Sequence, residues 1–252
     1  MHFDRLRLEE KQRDEELDKA AEAAAAPKRR RIRNRLSAED QKLVDAALRD
    51  SAFKSSMAGA EVIAKDLRRL QGKQWLNDEV ITFYSVLLTN RSKAMVARRK
   101  EQGLPPRGDP DLLDVHVFNS FFWSSLDQGG YSRVRRWTAK KKDPIDVFAK
   151  DRIIVPINLG NAHWVCAAIN PAQKRFEYYD SMGTPLPAVY RKLRAYMMDE
   201  HKDKKKGEPP LDLSDWEDYW DEDVPQQNNA CDCGVFTVSL GLRDLHFPDA
   251  DH

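Results

Sequence analysis

The chain has little that would draw a ligand by bulk charge, by metal chemistry or by a lipid-seeking span. Lysine and arginine number 42 against 41 aspartate and glutamate, a formal net charge of +1 over 252 residues. No global field therefore draws it to nucleic acid. No apolar run reaches the roughly 20 residues of a membrane-crossing helix, so membrane insertion is not expected, short of an anchor borrowed from a partner. Cysteine is scarce: Cys166, Cys231 and Cys233 are all there is. An odd count with no secretory leader reads as a reducing, intracellular setting. Cys231 and Cys233 lack a second Cys/His pair at ligand spacing, which is too little for zinc. No metal and no cofactor are expected. The length suits one good-sized domain and a tail.

The tail comes first. Asp4 to Ala26 is rich in Glu, Lys, Arg and Ala with little apolar periodicity. It is either a solvated helix or disordered, having no core to fold around. The run Lys28-Arg29-Arg30-Arg31, followed by Arg33 and Arg35, is a nuclear-import candidate; the alternative is a solvated charge run. Residues 1–36 are thus set apart from a folded domain over 37–252.

Within that domain, Ser37 with Asp40 three residues on predicts a capped helix over Leu36–Asp50. Val62-Ile63-Ala64 suits an edge strand. Asn77 or Asp78 caps a helix whose apolar face is Val80, Ile81, Tyr84, Leu87 and Leu88, and Asn90–Pro110 reads as helix end and loop. Trp75, just outside that helix, is a hydrophobic staple, a core residue or the wall of a cleft. Leu112–Phe118 is a strand with His116 structural, Asn119–Leu126 a helix start, and Tyr131–Trp137 with Lys140-Lys141-Lys142 a basic amphipathic stretch. Leu186–Met198 is a further helix, and Trp216–Asp223 an acidic aromatic loop or strand start.

The clearest strands are Ile153–Leu159, His163–Ile169 and Arg175–Ser181, the last two joined by the turn cluster Asn170–Lys174. Folding that hairpin about Ala172 sets His163 opposite Ser181 and Asp180 opposite Trp164. A slip of one residue sets His163 opposite Asp180. Either way both lie at the open end of the hairpin, where a carboxylate can fix an imidazole's tautomer.

The polar stretch Pro225–Cys233 then turns into an apolar run, with Val235, Val238, Leu242 and Leu245 at near-helical spacing and Phe236 and Leu240 broadening it. Cys233 sits where loop becomes helix. Unpaired N–H groups and the helix dipole there favour a thiolate. Cys233 as nucleophile, His163 as base then acid and Asp180 as orienter make a cysteine-hydrolase triad. The amide of Gln227, six residues earlier, can face a developing oxyanion together with the Cys233 N–H, with Gln226 as the rival. Trp164 follows the base directly and is placed to flank a scissile bond. Trp75 from the other side would complete a slot that passes only residues without side chains, hence a Gly-Gly substrate.

His163-Trp164, Tyr179-Asp180-Ser181, Gln226-Gln227 and Asp232-Cys233-Gly234 resemble the signature of the ubiquitin-like-protein proteases, the SUMO (sentrin) proteases. Trp75-Leu76-Asn77-Asp78, Val117 to Phe122, Val134 to Trp137, Pro156-Ile157-Asn158 and Asp199 to Lys206 are similar to further blocks of that family. The resemblance runs from about Ala60 to Leu242. It implies an α+β, papain-like fold with rearranged motif order, a central mixed sheet flanked by helices. It implies His163, Asp180 and Cys233 as triad, Gln227 as oxyanion donor, and Trp75 and Trp164 as tunnel aromatics around the modifier's Gly-Gly tail. Asp78 matches an acidic residue that pairs with an arginine of SUMO. The activity implied is maturation of SUMO precursors and release of SUMO from substrate lysines, by a monomer in the nucleus or at its envelope or pore. Two other readings use the same residues: a SUMO-binding module with weak or no catalysis, and a protease for another ubiquitin-like modifier. There are two departures. Cys231 stands where the family often has Tyr or Ser, a second thiol that is either inert or tunes redox sensitivity. The chain also stops at His252 where family members usually continue, which is expected to expose apolar surface at Phe236 or Leu240 and cost stability.

Overall fold

The computed structural model describes residues 36–105, 113–139, 143–183, 185–220 and 224–240. The basic run before Leu36, Lys140-Lys141-Lys142, and Leu242 and Leu245 lie outside them. The chain divides into two units, 1–46 and 47–252. Helix α1 (Ala38–Arg49) crosses that division and starts as its sequence predicts. Ser37 Oγ accepts from the Asp40 N–H at 3.0 Å and donates to the Asp40 carboxylate at 2.7 Å.

The apolar run at Val62 is half of a small hairpin. Strand β1 (Lys54–Met57) pairs antiparallel with β2 (Ala60–Ile63), and the chain then turns into the short helix α2 (Ala64–Leu67). Asp66 is buried there. It accepts from the Ile63 N–H at 3.1 Å and from Asn77 Nδ2 at 2.7 Å, so the hairpin is tied to the start of the next helix.

That helix, α3 (Asp78–Glu101), is much longer than expected. The polar stretch after Asn90 continues it, because Lys93, Ala94, Met95, Ala97, Arg98 and Arg99 are all good helix formers. Its buried side is also different. Ile81 and Leu88 are buried, but Tyr84 and Leu87 are exposed, and Thr82, Ser85, Thr89 and Ser92 fill the inner face. The hydroxyls have work there: Ser92 Oγ accepts from Val115 N–H at 2.9 Å and Thr89 Oγ1 from Val117 N–H at 3.1 Å. These are edge groups of β3 (Val115–Val117), and the helix covers an edge that would otherwise be open to another strand.

Five strands form a mixed sheet in the order β3, β4 (Arg152–Leu159), β5 (His163–Asn170), β6 (Arg175–Tyr179) and β7 (Glu217–Trp220). The two outer pairings are parallel and the two inner ones antiparallel. The central strands are apolar almost throughout because both faces are covered. Ile153, Val155, Ile157, Val165, Ala167, Ile169, Phe176 and Tyr178 alternate onto one face, against Phe122 and Leu126 of α4 (Phe121–Gly129) and Val189, Leu193 and Tyr196 of α6 (Pro187–Lys204). Ile154, Cys166 and Tyr179 point to the other face, where Leu88 packs.

The basic stretch after α4 is tied into the fold through α6. It opens with the short helix α5 (Tyr131–Val134). Arg135 forks onto Asp203 of α6 at 3.0 and 2.6 Å, and buried Glu200 accepts from Tyr131 OH at 2.7 Å and Thr138 Oγ1 at 2.6 Å. The Arg135 guanidinium, with Lys204, holds the Asp203 carboxyl well below its ordinary range. His116 is buried edge-on to Phe118 at 4.7 Å between ring centres.

Candidate active site

The site lies where β5 begins, β6 ends and the last described helix begins. The β5–β6 register is one residue away from the symmetric expectation, and in the direction opposite to the slip that would set His163 squarely across from Asp180. Cys166 pairs with Tyr179 and Asn170 with Arg175. The turn is responsible. Asn170 Oδ1 accepts from the Gln173 N–H at 3.1 Å, and Lys174 takes a left-handed φ of 50°, which adds a residue to the loop. Continuing that ladder by one pair sets Asp180 across from Val165. His163, two residues along, is then Asp180's diagonal neighbour on the same face. His163 Nε2 meets Asp180 Oδ1 at 2.6 Å.

Asp180 is 5% exposed and is held from several sides. Its Oδ1 also accepts from the Met182 N–H at 2.9 Å, and Tyr178 OH lies 3.4 Å from Oδ2. Burial, then the Asp180 charge, pushes the Tyr178 phenol well above its ordinary value, so it stays a neutral donor. A Cβ built on Gly183 would lie 2.5 Å from Asp180 Oδ2; glycine lets the chain pass over the carboxylate. A carboxylate can only accept, so the proton it receives belongs to His163 Nε2, and in the neutral ring Nδ1 is then the acceptor.

Cys233 opens α7 (Cys233–Leu240). The Phe236 N–H donates to Asp232 O at 2.9 Å, which makes Asp232 the residue that flanks the helix and leaves the first-turn N–H groups, that of Cys233 included, outside the helical ladder. Cys233 is buried with Leu76, Ile81 and Trp164. A Cβ on Gly234 would come within 2.9 Å of Leu76 Cβ, so glycine permits the close packing of α7 on the Trp75-Leu76 segment. The inner face of α7 is not the one its apolar spacing predicts. Val235 is 43% exposed, whereas Thr237 is buried, and Phe236 is only partly buried against the second core. Seating Cys233 and Gly234 inward rotates Val235 out, because successive helical residues are about 100° apart.

The two indoles share one segment. Trp164 is buried and its Nε1 donates to Leu76 O at 2.9 Å. Trp75 is 42% exposed and its Nε1 donates to Ala230 O at 2.7 Å, on the loop before Cys233. Of the two cap candidates, Asn77 takes the role, its side chain accepting from the Val80 N–H at 3.3 Å. Asp78 is then the first residue of α3, half-buried beside the Trp75 segment.

The two glutamines differ. The Gln226 Nε2 is engaged by two backbone carbonyls, Asp180 O at 3.3 Å and Val224 O at 3.1 Å. Gln227 donates from Nε2 to Asn229 O at 2.6 Å and accepts at Oε1 from Ser181 Oγ at 2.7 Å. Ser181 has no role in the sequence reading, although its position directly after Asp180 marks it. Cys231 is half-buried with Sγ 3.3 Å from Asn229 Oδ1. Desolvation, then the Asp232 carboxylate, pushes its thiol up, so it is held protonated. Among the described residues no cluster of His, Cys, Asp or Glu could hold a metal ion, and no helix is long and apolar enough to cross a membrane.

The arrangement pairs an imidazole with a buried carboxylate, and Trp164, the residue after that imidazole, packs in one cluster with the thiol at the helix start. The C-terminal catalytic domain model of the Ulp1 protease family matches residues 74–240, a span that holds every one of these groups. The chain belongs to this family. It is 38% identical over 181 residues to a sentrin-specific protease of Caenorhabditis elegans, covering 72% of this chain and 23% of that one. It is 37% identical over 182 residues to the ubiquitin-like-specific protease 1A of Arabidopsis thaliana, covering 71% and 33%. It spans about a quarter to a third of the length of these curated relatives. In three dimensions it is similar to the C-terminal Ulp1 protease domain solved in complex with Smt3, the yeast ortholog of SUMO. The TM-score there is 0.63 at 27% identity, covering 84% of this chain and 86% of that one. The α+β fold, helices around a central mixed sheet, is the one the sequence resemblance implies.

Proposed function

We propose that this Ulp1-family domain is a thiol protease that cleaves after the C-terminal Gly-Gly of SUMO, maturing precursors and freeing SUMO from substrate lysines. The observation that carries the reading is the 2.6 Å contact of His163 Nε2 with Asp180 Oδ1, with Trp164, the next residue after His163, clustered with Cys233 at a helix start. His163 Nδ1 takes the Cys233 proton. The thiolate attacks the carbonyl carbon of the terminal glycine, and His163 returns the proton to the leaving amine. Water, deprotonated by the same nitrogen, hydrolyses the thioester. Asp180 holds the tautomer and stabilises the imidazolium. The Gln227 amide and the Cys233 N–H stabilise the tetrahedral oxyanion.

The substrate class is supported by what the relatives are: sentrin-specific and ubiquitin-like-specific proteases, and a domain seated on a SUMO ortholog. Trp75 and Trp164 frame the tail, and Asp78 offers a carboxylate to an arginine on the modifier. Residues 37–252 make up the catalytic domain, acting as a monomer. The basic run after Pro27 serves nuclear import.

The test is labelling of the purified chain with an electrophilic SUMO C-terminal probe, beside matched ubiquitin and other modifier probes. An adduct with SUMO alone, lost in Cys233→Ser, is expected. An adduct only with another modifier would keep the chemistry and overturn the substrate. Binding of SUMO without an adduct would make the domain a binding module.

A further inference from the structure

Ser181 lies between the two halves of the site, and its contacts carry an inference that rests on the proposed role of Gln227. A glutamine amide presents an acceptor at one end and donors at the other, and a flip exchanges them. Which end faces a substrate decides whether Gln227 can stabilise an oxyanion or would repel it. In this chain the choice is forced by neighbours. Asn229 O can only accept, so the atom 2.6 Å from it must be the amide nitrogen. The amide oxygen then faces Ser181 Oγ at 2.7 Å, and the hydroxyl must donate. The backbone repeats the tie, with the Gln227 N–H donating to Ser181 O at 2.9 Å. Ser181 itself is 2% exposed, so water does not compete for its proton.

We infer that Ser181 is a positioning residue that locks the Gln227 amide with an N–H available to the reaction. One N–H goes to Asn229 O and the second is left to donate. Ser181 does this from the residue next to Asp180, so one bend of the chain orients both the base and the oxyanion donor. Gln226 pins the same bend through Asp180 O. Without the hydroxyl, Asn229 O alone holds the amide, which loses its second anchor and samples orientations that turn the free N–H away from the developing charge.

The experiment measures steady-state cleavage of a SUMO C-terminal fluorogenic amide, with rates normalised to active sites titrated by the electrophilic SUMO probe. Ser181→Ala should lower kcat roughly fivefold, the worth of one neutral hydrogen bond, with KM unchanged and the pH profile unmoved. Ser181→Thr keeps the hydroxyl and should restore most of the rate. In a Gln227→Ala background, which by itself should cost about 10²- to 10³-fold in kcat, adding Ser181→Ala should cost nothing more. An equal fivefold loss in that background would overturn the inference, as would a loss confined to KM. If Ser181→Ala does not fold, Ser181→Cys takes its place; a weak S–H donor should again lower kcat, and full activity would sink the idea. Failure of the parent reading looks different: Gln227→Ala would itself retain full kcat.

Discussion

Strand β6 and the bend after it carry two buried carboxylates, and they are built to opposite ends. Glu177, fully buried, is saturated with donors: both oxygens lie 3.1 Å from Arg152 Nη2, Arg175 Nε is at 2.9 Å, Asn170 Nδ2 at 2.8 Å and Tyr179 OH at 2.9 Å. Its charge is answered by two guanidinium groups that never change protonation state. Asp180, three residues on, is answered by one imidazole that does, together with a backbone N–H and a phenol. The first arrangement can only hold the far end of the hairpin. The second can respond to a proton arriving on His163. The same contrast separates the thiols. Cys166 is wholly buried in the second core and pushed up to about 12 by desolvation. Cys233 sits at a helix start, packed with Trp164, the residue after the proposed base.

The predictions test that contrast, and the first has the largest effect. Cys233→Ser should abolish turnover while SUMO binding, followed by calorimetry, is retained; turnover by this variant would remove Cys233 as nucleophile. Asp180→Asn should lower kcat on the order of 10²- to 10⁴-fold through the wrong tautomer, with melting temperature little changed. Wild-type kcat would break the proposed triad. Glu177→Gln should do the reverse. Breaking a buried pair leaves a guanidinium uncompensated and costs about 3–5 kcal/mol, read by urea denaturation, while kcat per titrated active site stays near wild type. If instead kcat collapsed and stability held, the two carboxylates would not be separable in this way.

The smallest effect concerns Cys166. Its thiol ionises in the unfolded chain near the ordinary 9 and in the folded chain only at about 12. Between those values the unfolded state binds fewer protons, so stability should fall as pH rises from about 9 toward 12. Cys166→Ala should flatten that limb of a pH–melting curve; an identical slope in the variant would assign it to other groups.

Much of this site was legible in the residues. The strands from Ile153 to Tyr179 announce themselves by apolar runs around an Asn-Pro turn, and Ser37 and Asn77 mark helix starts by chemistry that acts over three residues. Cys233 is recognisable because a polar loop changes to an apolar run at that point. What was misread is what neighbours in sequence do not control. Helix α3 continues past Asn90 because its propensities are good even where its pattern is polar. Its serines and threonines turn inward because β3 needs partners for its edge, and β3 is more than 20 residues away in the chain. Val235 faces out because Gly234 must meet Leu76.

By itself, then, the sequence determined the central strands and the helix starts, the chemistry available at the hairpin's open end and the family to which the chain belongs, since all of these follow from residue type and short-range spacing. Only the tertiary structure decided how those residues meet. A single left-handed residue at Lys174 shifts the β5–β6 register, and register moves every side chain to its opposite face or keeps it. Asp180 reaches His163 diagonally for that reason. The proposed choice of Gln227 over Gln226, and the part proposed for Ser181, rest on which carbonyls the closing loop brings alongside. Those are contacts between strand end and loop that no local pattern encodes.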